Sequence, residues 1–430
     1  MKIELKNIND FTRELKIDVP WETVKPEFEI SLKTFSKKVK VPGFRPGKIP
    51  RERLLKQYLP SIEAQYVDDG IQKFYVLSLQ EKDIVPVNQA EIKDVHFHYE
   101  EHFAFTAIFE VEPVVSIPKM KKNMLSINKT IYIPDKQDIN DAIDQLRKSH
   151  ARIVKVEDGA LEKDFIMCDL QKVDDSGVAI IGKKFEKQLL KVGDGSFSDD
   201  QKDKLIGLKP GETARVTLPD NKERTTTSDY DLNVINVERE ELPKVDKDLL
   251  KLINPDLNTV EELETDVLKK INENFSSRSK QQYERDISDA LIEKINPSVA
   301  PSMVSNYLNN ILEDVKKQNN GEPMDEEKVL DSYRPMAERN LKWYVIRKEL
   351  IKNENLEISK QDVLDELEEI VKKTPSSEKD IRTYYRKPSN KQKIEDDLLE
   401  KKIISFLEEY AKIKEVKVET KTLREAPHEH

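Results

Sequence analysis

One segment of the chain combines residue types that suit a binding surface: Gly43-Phe44-Arg45-Pro46-Gly47-Lys48-Ile49-Pro50. Its two glycines reach backbone angles closed to other residues, while its prolines restrict the rest, so the sequence predicts a bent, preorganised tip. Phe44, Arg45 and Lys48 are then expected to point outward. An exposed aromatic beside an arginine is typical of an interface hot spot, and arginine binds carboxylates or phosphates through two hydrogen bonds. By composition alone, a stiff turn with ordinary solvated charges is an equally good interpretation.

The loop lies within a cationic stretch of an otherwise acidic chain. The formal net charge is -10, yet the residues from Lys33 to Lys56 include nine basic residues and one acid, Glu52. This basic cluster consists of Lys33, Lys37, Lys38, Lys40, Arg45, Lys48, Arg51, Arg53 and Lys56. Such an asymmetry usually marks a docking patch for an anionic surface, because acid elsewhere discourages indiscriminate binding.

The spacing of the loop resembles a phosphate-binding loop only superficially. That motif needs four residues between its glycines and a Ser or Thr after the lysine. Here three residues separate Gly43 from Gly47, and Ile49 follows Lys48. With no other nucleotide fingerprint in the chain, we expect no ATP-driven machine and no cofactor.

Other candidate chemistry has weaker support in the sequence. His96, His98 and His102 could suggest a metal site, but edge-strand histidines facing water need no ligand, so we expect no metal. No Ser/His/Asp or Cys/His arrangement has supporting local context. Cys168 is the single cysteine and has no partner for a disulfide, so a buried, inert thiol is expected.

The chain is long enough for several domains, and its patterns predict a multidomain α+β protein. Residues 1–116 form a mixed α+β domain, with helices at 28–41 and 50–80 and paired strands at 96–99 and 103–111. Residues 117–150 form a connector. Residues 151–242 form an antiparallel β domain with a helix, and residues 243–430 form an elongated all-α domain cut into hairpins by prolines.

Apolar stripes in the last domain are candidates for contact with other polypeptides, although each is more readily explained as core. The candidate residues are Met303, Tyr307, Trp343, Tyr344 and Phe406. Another stripe comprises Val363, Leu364, Leu367, Ile370 and Val371, and it follows Ser359, which with Asp362 resembles a capping box. Residues from Glu419 onward have no periodicity, and we expect them to fray.

The motif Gly43-Phe44-Arg45-x-Gly47-Lys48-x-Pro50 resembles the ribosome-binding signature of the bacterial trigger factor family. The length and order of the remaining segments agree with that family. The resemblance implies a ribosome-binding N-terminal domain, an FKBP-like middle domain and a helical chaperone domain with two arms. Ribosome contact would be carried by Gly43, Phe44, Arg45, Gly47, Lys48 and Pro50, supported by Lys37, Lys38, Lys40, Arg51 and Arg53.

The resemblance also implies partners, and the sequence indicates a cellular location. The partners are the large ribosomal subunit, through a protein at the tunnel exit and adjacent RNA, together with unfolded nascent chains. It allows a homodimer when the protein is free of the ribosome. Since no stretch approaches the length of a membrane span and the start lacks a secretory pattern, we expect a cytoplasmic protein without membrane contact.

The middle domain departs from the family's proline isomerase pattern. Gly207-Leu208-Lys209-Pro210-Gly211-Glu212 is similar to a segment of such isomerases. Where such isomerases have Asp followed by an aromatic residue, this chain has Asp169-Leu170. The segment 197–202 lacks the apolar and aromatic residues that the isomerases have at the matching place, and the flap at 221–228 is short. The sequence therefore predicts an ATP-independent holding chaperone with weak or no isomerase activity. One alternative is an active isomerase that acts as a foldase. Another is a free RNA-binding protein, but this sequence lacks the stacking-rich motif that such a protein would need.

Overall fold

The structure is a computed structural model that describes residues 1–174, 176–193, 199–219, 227–319 and 323–425. Contacts between residues divide the chain into two compact units. One unit consists of Met1–Lys129 and Gln281–Lys414. The other begins at Thr130, continues to Lys280 and resumes at Glu415.

The first unit begins with a four-stranded antiparallel sheet and two helices. In chain order the elements are β1 (Lys2–Asn7), β2 (Thr12–Val19), α1 (Trp21–Lys38), α2 (Arg51–Glu81), β3 (Glu91–His96) and β4 (Phe103–Glu110). The strand order is β1-β2-β4-β3. An aromatic core lies between sheet and helices, where Phe28 of α1 meets Tyr66 of α2 with ring centroids 5.7 Å apart.

The period-two pattern predicted for 103–111 is confirmed in β4. Phe103, Phe105, Ala107 and Phe109 are all buried, whereas Val111 is half-buried beyond the strand. The strand predicted at 96–99 is wrong, because β3 ends at His96. A reversal is needed there to bring the chain into β4, and the Glu101 amide donates a hydrogen bond to the His98 carbonyl within that turn.

The helical part of the first unit follows the proline breaks that the sequence predicts. Its elements are the end of α6 (Val260–Ile295), α7 (Pro301–Gln318), α8 (Glu326–Asn353), α9 (Lys360–Lys373), α10 (Glu378–Tyr384) and α11 (Pro388–Glu408). Pro301 and Pro388 each occupy a first helical position, where the missing amide hydrogen costs nothing. The capping box of Ser359 and Asp362 is confirmed, but Leu364 is 53% exposed, so the predicted stripe is narrower than expected.

The sheet of the first unit contacts its helices through a carboxylate at a helix N-terminus. Glu110 ends β4, and its Oε2 accepts hydrogen bonds from the backbone amide of Ser302, at 2.9 Å, and from the Ser302 hydroxyl. Helix α7 has no side-chain cap of its own at Ala300. Glu110 therefore satisfies an amide that the helix leaves free and places negative charge at its positive end.

The second unit contains a five-stranded antiparallel sheet. Its elements are α3 (Lys136–Ser149), β6 (Arg152–Val156), β7 (Phe165–Val173), β8 (Ala179–Lys191), α4 (Asp199–Leu205), β9 (Thr213–Pro219), β10 (Thr227–Glu241) and α5 (Lys247–Ile253). The order is β6-β10-β7-β8, with β9 also paired to β10. Cys168 of β7 is buried in the core of this sheet, as predicted, and burial raises the pKa of its thiol to about 12.

The last part of the chain contains a strand that the sequence reasoning missed. β11 (Ala411–Glu419) pairs with β5 (Leu125–Ile133), and α12 (Thr420–Glu425) follows it. The described part of 243–430 is therefore helical with one added strand rather than all-α. Residues 419–425 form the end of β11 and α12 instead of fraying, and residues 426–430 lie outside the described residues. The signal was weak because lysines interrupt the few apolar residues of β11, of which Val416 and Val418 are half-buried.

Candidate functional site

The loop between α1 and α2 consists of two successive turns of the same kind. The Phe44 amide donates to the Val41 carbonyl at 3.1 Å, and the Lys48 amide donates to the Arg45 carbonyl at 2.9 Å. In each turn a proline precedes a glycine with positive φ, +83° at Gly43 and +79° at Gly47. A β-turn that needs positive φ at its third residue favours glycine there, with proline before it. The repeated Pro-Gly pair is thus the local cause of the loop's shape.

The two ends of the loop are held in the core. Val41 and Ile49 are 6% and 7% exposed and belong to the same buried cluster as the α1 and α2 side chains. The Gly47 amide also donates a 2.7 Å hydrogen bond to the carbonyl of Ser36 near the end of α1. Arg45 and Lys48 are exposed between these anchors, in the outward position that the sequence predicts.

Phe44 occupies a different place from the one expected. Its ring is half-buried against the core cluster rather than pointing freely outward. The Arg53 guanidinium lies over it, with 5.2 Å between the guanidinium carbon and the ring centroid. Such a contact stabilises the exposed cation over the ring face. Phe44 therefore supports the tip and Arg53, and only part of its ring is available to a partner.

The basic cluster has few acidic partners of its own. Arg51 is the exception in the described part of the chain: its Nη2 lies 2.7 Å from Glu29 Oε1 and also donates to the Tyr99 hydroxyl. The Glu29 hydrogen bond raises the pKa of Arg51 above its usual value. The other cations have no ion pair among the described residues, so their charge is available to an external anion.

The five residues expected to contact polypeptides have different environments. Trp343 is only 9% exposed, and its Nε1 donates to Glu400 Oε1 at 2.9 Å. For Trp343 the interpretation as a core residue, which the sequence favours, is confirmed, because it lies in a core cluster with residues of α8 and α11. Met303, Tyr307 and Phe406 are half-buried, and Tyr344 is 44% exposed.

Helix α8 has an exposed apolar stripe, of which the sequence reasoning named Tyr344 and missed the other two residues. Tyr333 is 37% exposed and Met336 is 40% exposed, and both lie on the same helical face as Tyr344. The spacing of 3 and 8 residues could have indicated this face, but it competes with the buried residues of the same helix, among which Ala337 and Leu341 belong to one core cluster and Leu350 to another. Tyr333, Met336 and Tyr344 form what we call the α8 stripe.

The five-stranded sheet of the second unit, which we call the middle sheet, contains a pair of aromatic side chains. Phe185 of β8 and Tyr230 of β10 have ring centroids 6.3 Å apart, near the buried Leu170 of β7. Sequence reasoning missed the pair, because 45 positions separate the two residues and only the intervening β7 brings them together. The predicted turn at Gly207-Leu208-Lys209-Pro210-Gly211-Glu212 is present, with positive φ at both glycines. Residues 197, 198 and 221–226 lie outside the described residues.

The three histidines near β3 contact one another at the surface. The rings of His98 and His102 lie 5.4 and 4.9 Å from that of His96, and His96 Nε2 lies 2.9 Å from Glu101 Oε2. No group of three or more His, Cys, Asp or Glu in the described ranges has a geometry that could hold a metal ion.

Comparison with known proteins gives a consistent result over most of the chain. A family model described as "Bacterial trigger factor protein (TF)" matches residues 1–146, and the model of the family's C-terminus matches residues 259–409. The trigger factor of Prosthecochloris aestuarii is 27% identical over 391 residues, which cover 89% of this chain and 90% of that protein. The trigger factor of Chlorobaculum tepidum is 27% identical over 414 residues, which cover 95% and 96%.

A solved structure described as "Promiscuous Substrate Recognition in Folding and Assembly Activities of the Trigger Factor Chaperone" also matches. It is 16% identical, with a TM-score of 0.48, and the match covers 95% of this chain and 99% of that one. Among the described helices, none is long and apolar enough to cross a membrane.

The trigger factor relatives, which cover most of the chain, indicate that it is a ribosome-associated chaperone. The N-terminal domain is the part that binds the ribosome. The chain belongs to the bacterial trigger factor family.

Proposed function

We propose that this chaperone binds near the polypeptide exit tunnel of the large subunit through the loop at 43–50 and holds emerging chains without ATP. The observation that most directly supports this proposal is that two Pro-Gly turns expose Arg45 and Lys48. Neither side chain has an ion pair among the described residues. Because the turns are formed in the free protein, little conformational entropy is lost when these cations meet an anion.

Two kinds of ribosomal partner fit different parts of this surface. Arg45 suits a carboxylate of a tunnel-exit protein, because its planar guanidinium pairs with two oxygens at once. Lys37 and Lys38 lie in the last turn of α1, and Lys40 follows its end. These exposed lysines suit the phosphates of adjacent ribosomal RNA, which lysine recognises as a point charge.

Binding to ribosomes should weaken strongly with salt. If about four phosphates are contacted, raising monovalent salt from about 50 to about 200 mM should lower the affinity roughly 100-fold, because bound counterions are released. Cosedimentation with ribosomes at constant Mg²⁺ measures this. An affinity that does not change with salt would contradict an RNA contact and favour a purely protein contact.

The α8 stripe is the proposed surface for holding emerging chains. Tyr333, Met336 and Tyr344 are large, partly exposed and separated by charged residues, which suits weak contact with many apolar segments. Met303, Tyr307 and Phe406 expose smaller parts of their side chains and would contribute less.

Catalysis of prolyl isomerisation is the second candidate function, and the pair of Phe185 and Tyr230 is the observation that favours it. The uncatalysed barrier is about 18–20 kcal/mol, and lowering it needs a desolvated pocket. Phe185 is 44% exposed and Leu170 replaces an aromatic, so the site is open to water.

We expect the full chain to accelerate isomerisation of a proline tetrapeptide less than about twofold over the uncatalysed rate at micromolar protein, because water competes in the open site. A protease-coupled assay measures the rate. A Tyr230→Ala variant is the control, since any specific activity of this face should fall with it. Acceleration of several orders of magnitude that is lost in the variant would establish the foldase.

A further inference from the structure

Strand β8 is exposed along most of its length. It lies at one edge of the middle sheet, where its described partner is β7. Every residue from Ile181 to Leu189 is exposed, although a strand that packs one face on a core alternates between buried and exposed positions. Ile181 is 99% exposed, Leu189 is 54% exposed and Phe185 is 44% exposed. Such a strand presents backbone donors and acceptors together with large apolar side chains.

The charge of β8 is opposite to that of the chain as a whole. The strand contains four lysines and one acid, Glu186, in a protein of net charge -10. Lys184 pairs with Glu186 and Asp169 on its own sheet. Lys183 and Lys187 are exposed and have no ion pair among the described residues.

The backbone limits how long a partner segment can pair with this edge. Gly182 and Lys187 have positive φ, +78° and +52°, and the register with β7 shifts near both. These irregularities divide the strand into two straight runs, residues 183–186 and 188–191. Each run can form only a few backbone hydrogen bonds, so a partner would bind weakly and with little sequence selectivity.

We propose that the free edge of β8 binds an extended acidic-apolar segment of an unfolded polypeptide as an added strand. Strand addition supplies backbone hydrogen bonds. The register with β7 places Phe185 and Leu189 on opposite faces of the sheet, so each contacts apolar side chains on its own face of the segment. Lys183 and Lys187 select acidic segments and repel a second β8, because like charges on paired strands are destabilising. The inference rests on the proposed holding function and names a class of client.

Peptide binding to the full chain tests the proposal. The probe is a fluorescent heptapeptide of Val and Glu with both residue types on each face of the strand, and its comparators carry Lys in place of Glu or N-methyl groups on alternate amides. Anisotropy should show the acidic peptide binding at least about tenfold more tightly than either comparator, a difference of about 1.4 kcal/mol. The double variant Lys183→Glu/Lys187→Glu should weaken binding by a similar factor.

A matched control comes from the other edge of the same sheet. Ile153 of β6 is 63% exposed, and Ile153→Glu should leave peptide affinity unchanged, whereas Leu189→Glu should lower it. Protection of Cys168 from thiol reagents would show that each variant keeps the sheet.

Three results would overturn the proposal. They are equal affinity for the acidic and basic peptides, equal affinity after N-methylation, and wild-type affinity in the double variant. Self-association of the wild type that the double variant loses would instead assign the edge to a second copy.

Failure of the proposed ribosome-binding and holding function would give a different result. It would appear as wild-type protein that neither pellets with ribosomes nor suppresses aggregation of an unfolded client. Those two measurements are made on the same preparations, and β8 variants should keep ribosome binding.

Discussion

Ribosome binding should fall about 100-fold or more when Phe44, Arg45 and Lys48 are all replaced by alanine. Arg45 and Lys48 are exposed at the two Pro-Gly turns, so their loss removes the outward charges of the tip. Loss of Phe44 removes the ring that supports Arg53. Central aromatic and arginine residues of an interface each contribute about 2 kcal/mol or more, which makes this a large expected effect. Cosedimentation with ribosomes measures it.

Two partial variants separate the contribution of the Arg45 and Lys48 charges from that of the Phe44 ring, which contacts Arg53. Arg45→Ala/Lys48→Ala should lower both affinity and its salt dependence, because two cations are lost. Phe44→Ala alone should lower affinity with a smaller change in salt dependence, because the cations remain but Arg53 loses its ring contact. Lys6→Ala/Lys25→Ala is the matched control: both lysines are exposed in the same domain and lie outside the basic cluster. Equal pelleting of the triple variant and the control would contradict the proposed anchor.

The loop was predictable because its shape is determined locally. Proline followed by glycine specifies each turn without help from distant residues, so the exposure of Arg45 and Lys48 follows from sequence. The place of Phe44 was not predictable in the same way. It depends on Arg53 in the first turn of α2 and on the core beneath, which local reasoning does not position.

Features that depend on pairing between distant segments were mostly missed. The Phe185 and Tyr230 pair and the two-sided exposure of β8 follow from the order of strands in the middle sheet, which no local pattern gives. β11 is similar, because its lysine-rich sequence is stabilised by pairing with β5. By contrast, the alternation of β4 and the capping box at Ser359 are local signals, and both were read correctly.

Replacing Asp164 with alanine should destabilise the middle sheet by about 3–5 kcal/mol, because it leaves a partly buried cation short of partners. Asp164 is 3% exposed. It accepts hydrogen bonds from Arg239 Nη2 at 2.8 Å and from the Leu161 amide at 2.8 Å. Among the described residues, Arg239 would keep Asp158 and the Gly159 carbonyl as its partners. Urea unfolding followed by the reactivity of Cys168 reports on this sheet alone, since that thiol is buried within it.

Asp231→Ala provides the matched control for this prediction. Asp231 accepts two hydrogen bonds from Arg215, at 2.7 and 2.9 Å, on the same sheet, but both side chains of that pair are nearly half exposed. Since water replaces a lost partner at the surface, this change should cost about 0–1 kcal/mol. If the two variants lost a similar free energy of unfolding, burial would not distinguish the Asp164–Arg239 pair from the Asp231–Arg215 pair. Asp164 would then act through its hydrogen bond to the Leu161 amide. Ribosome binding should survive in both variants, because the anchor loop belongs to the other unit of the chain.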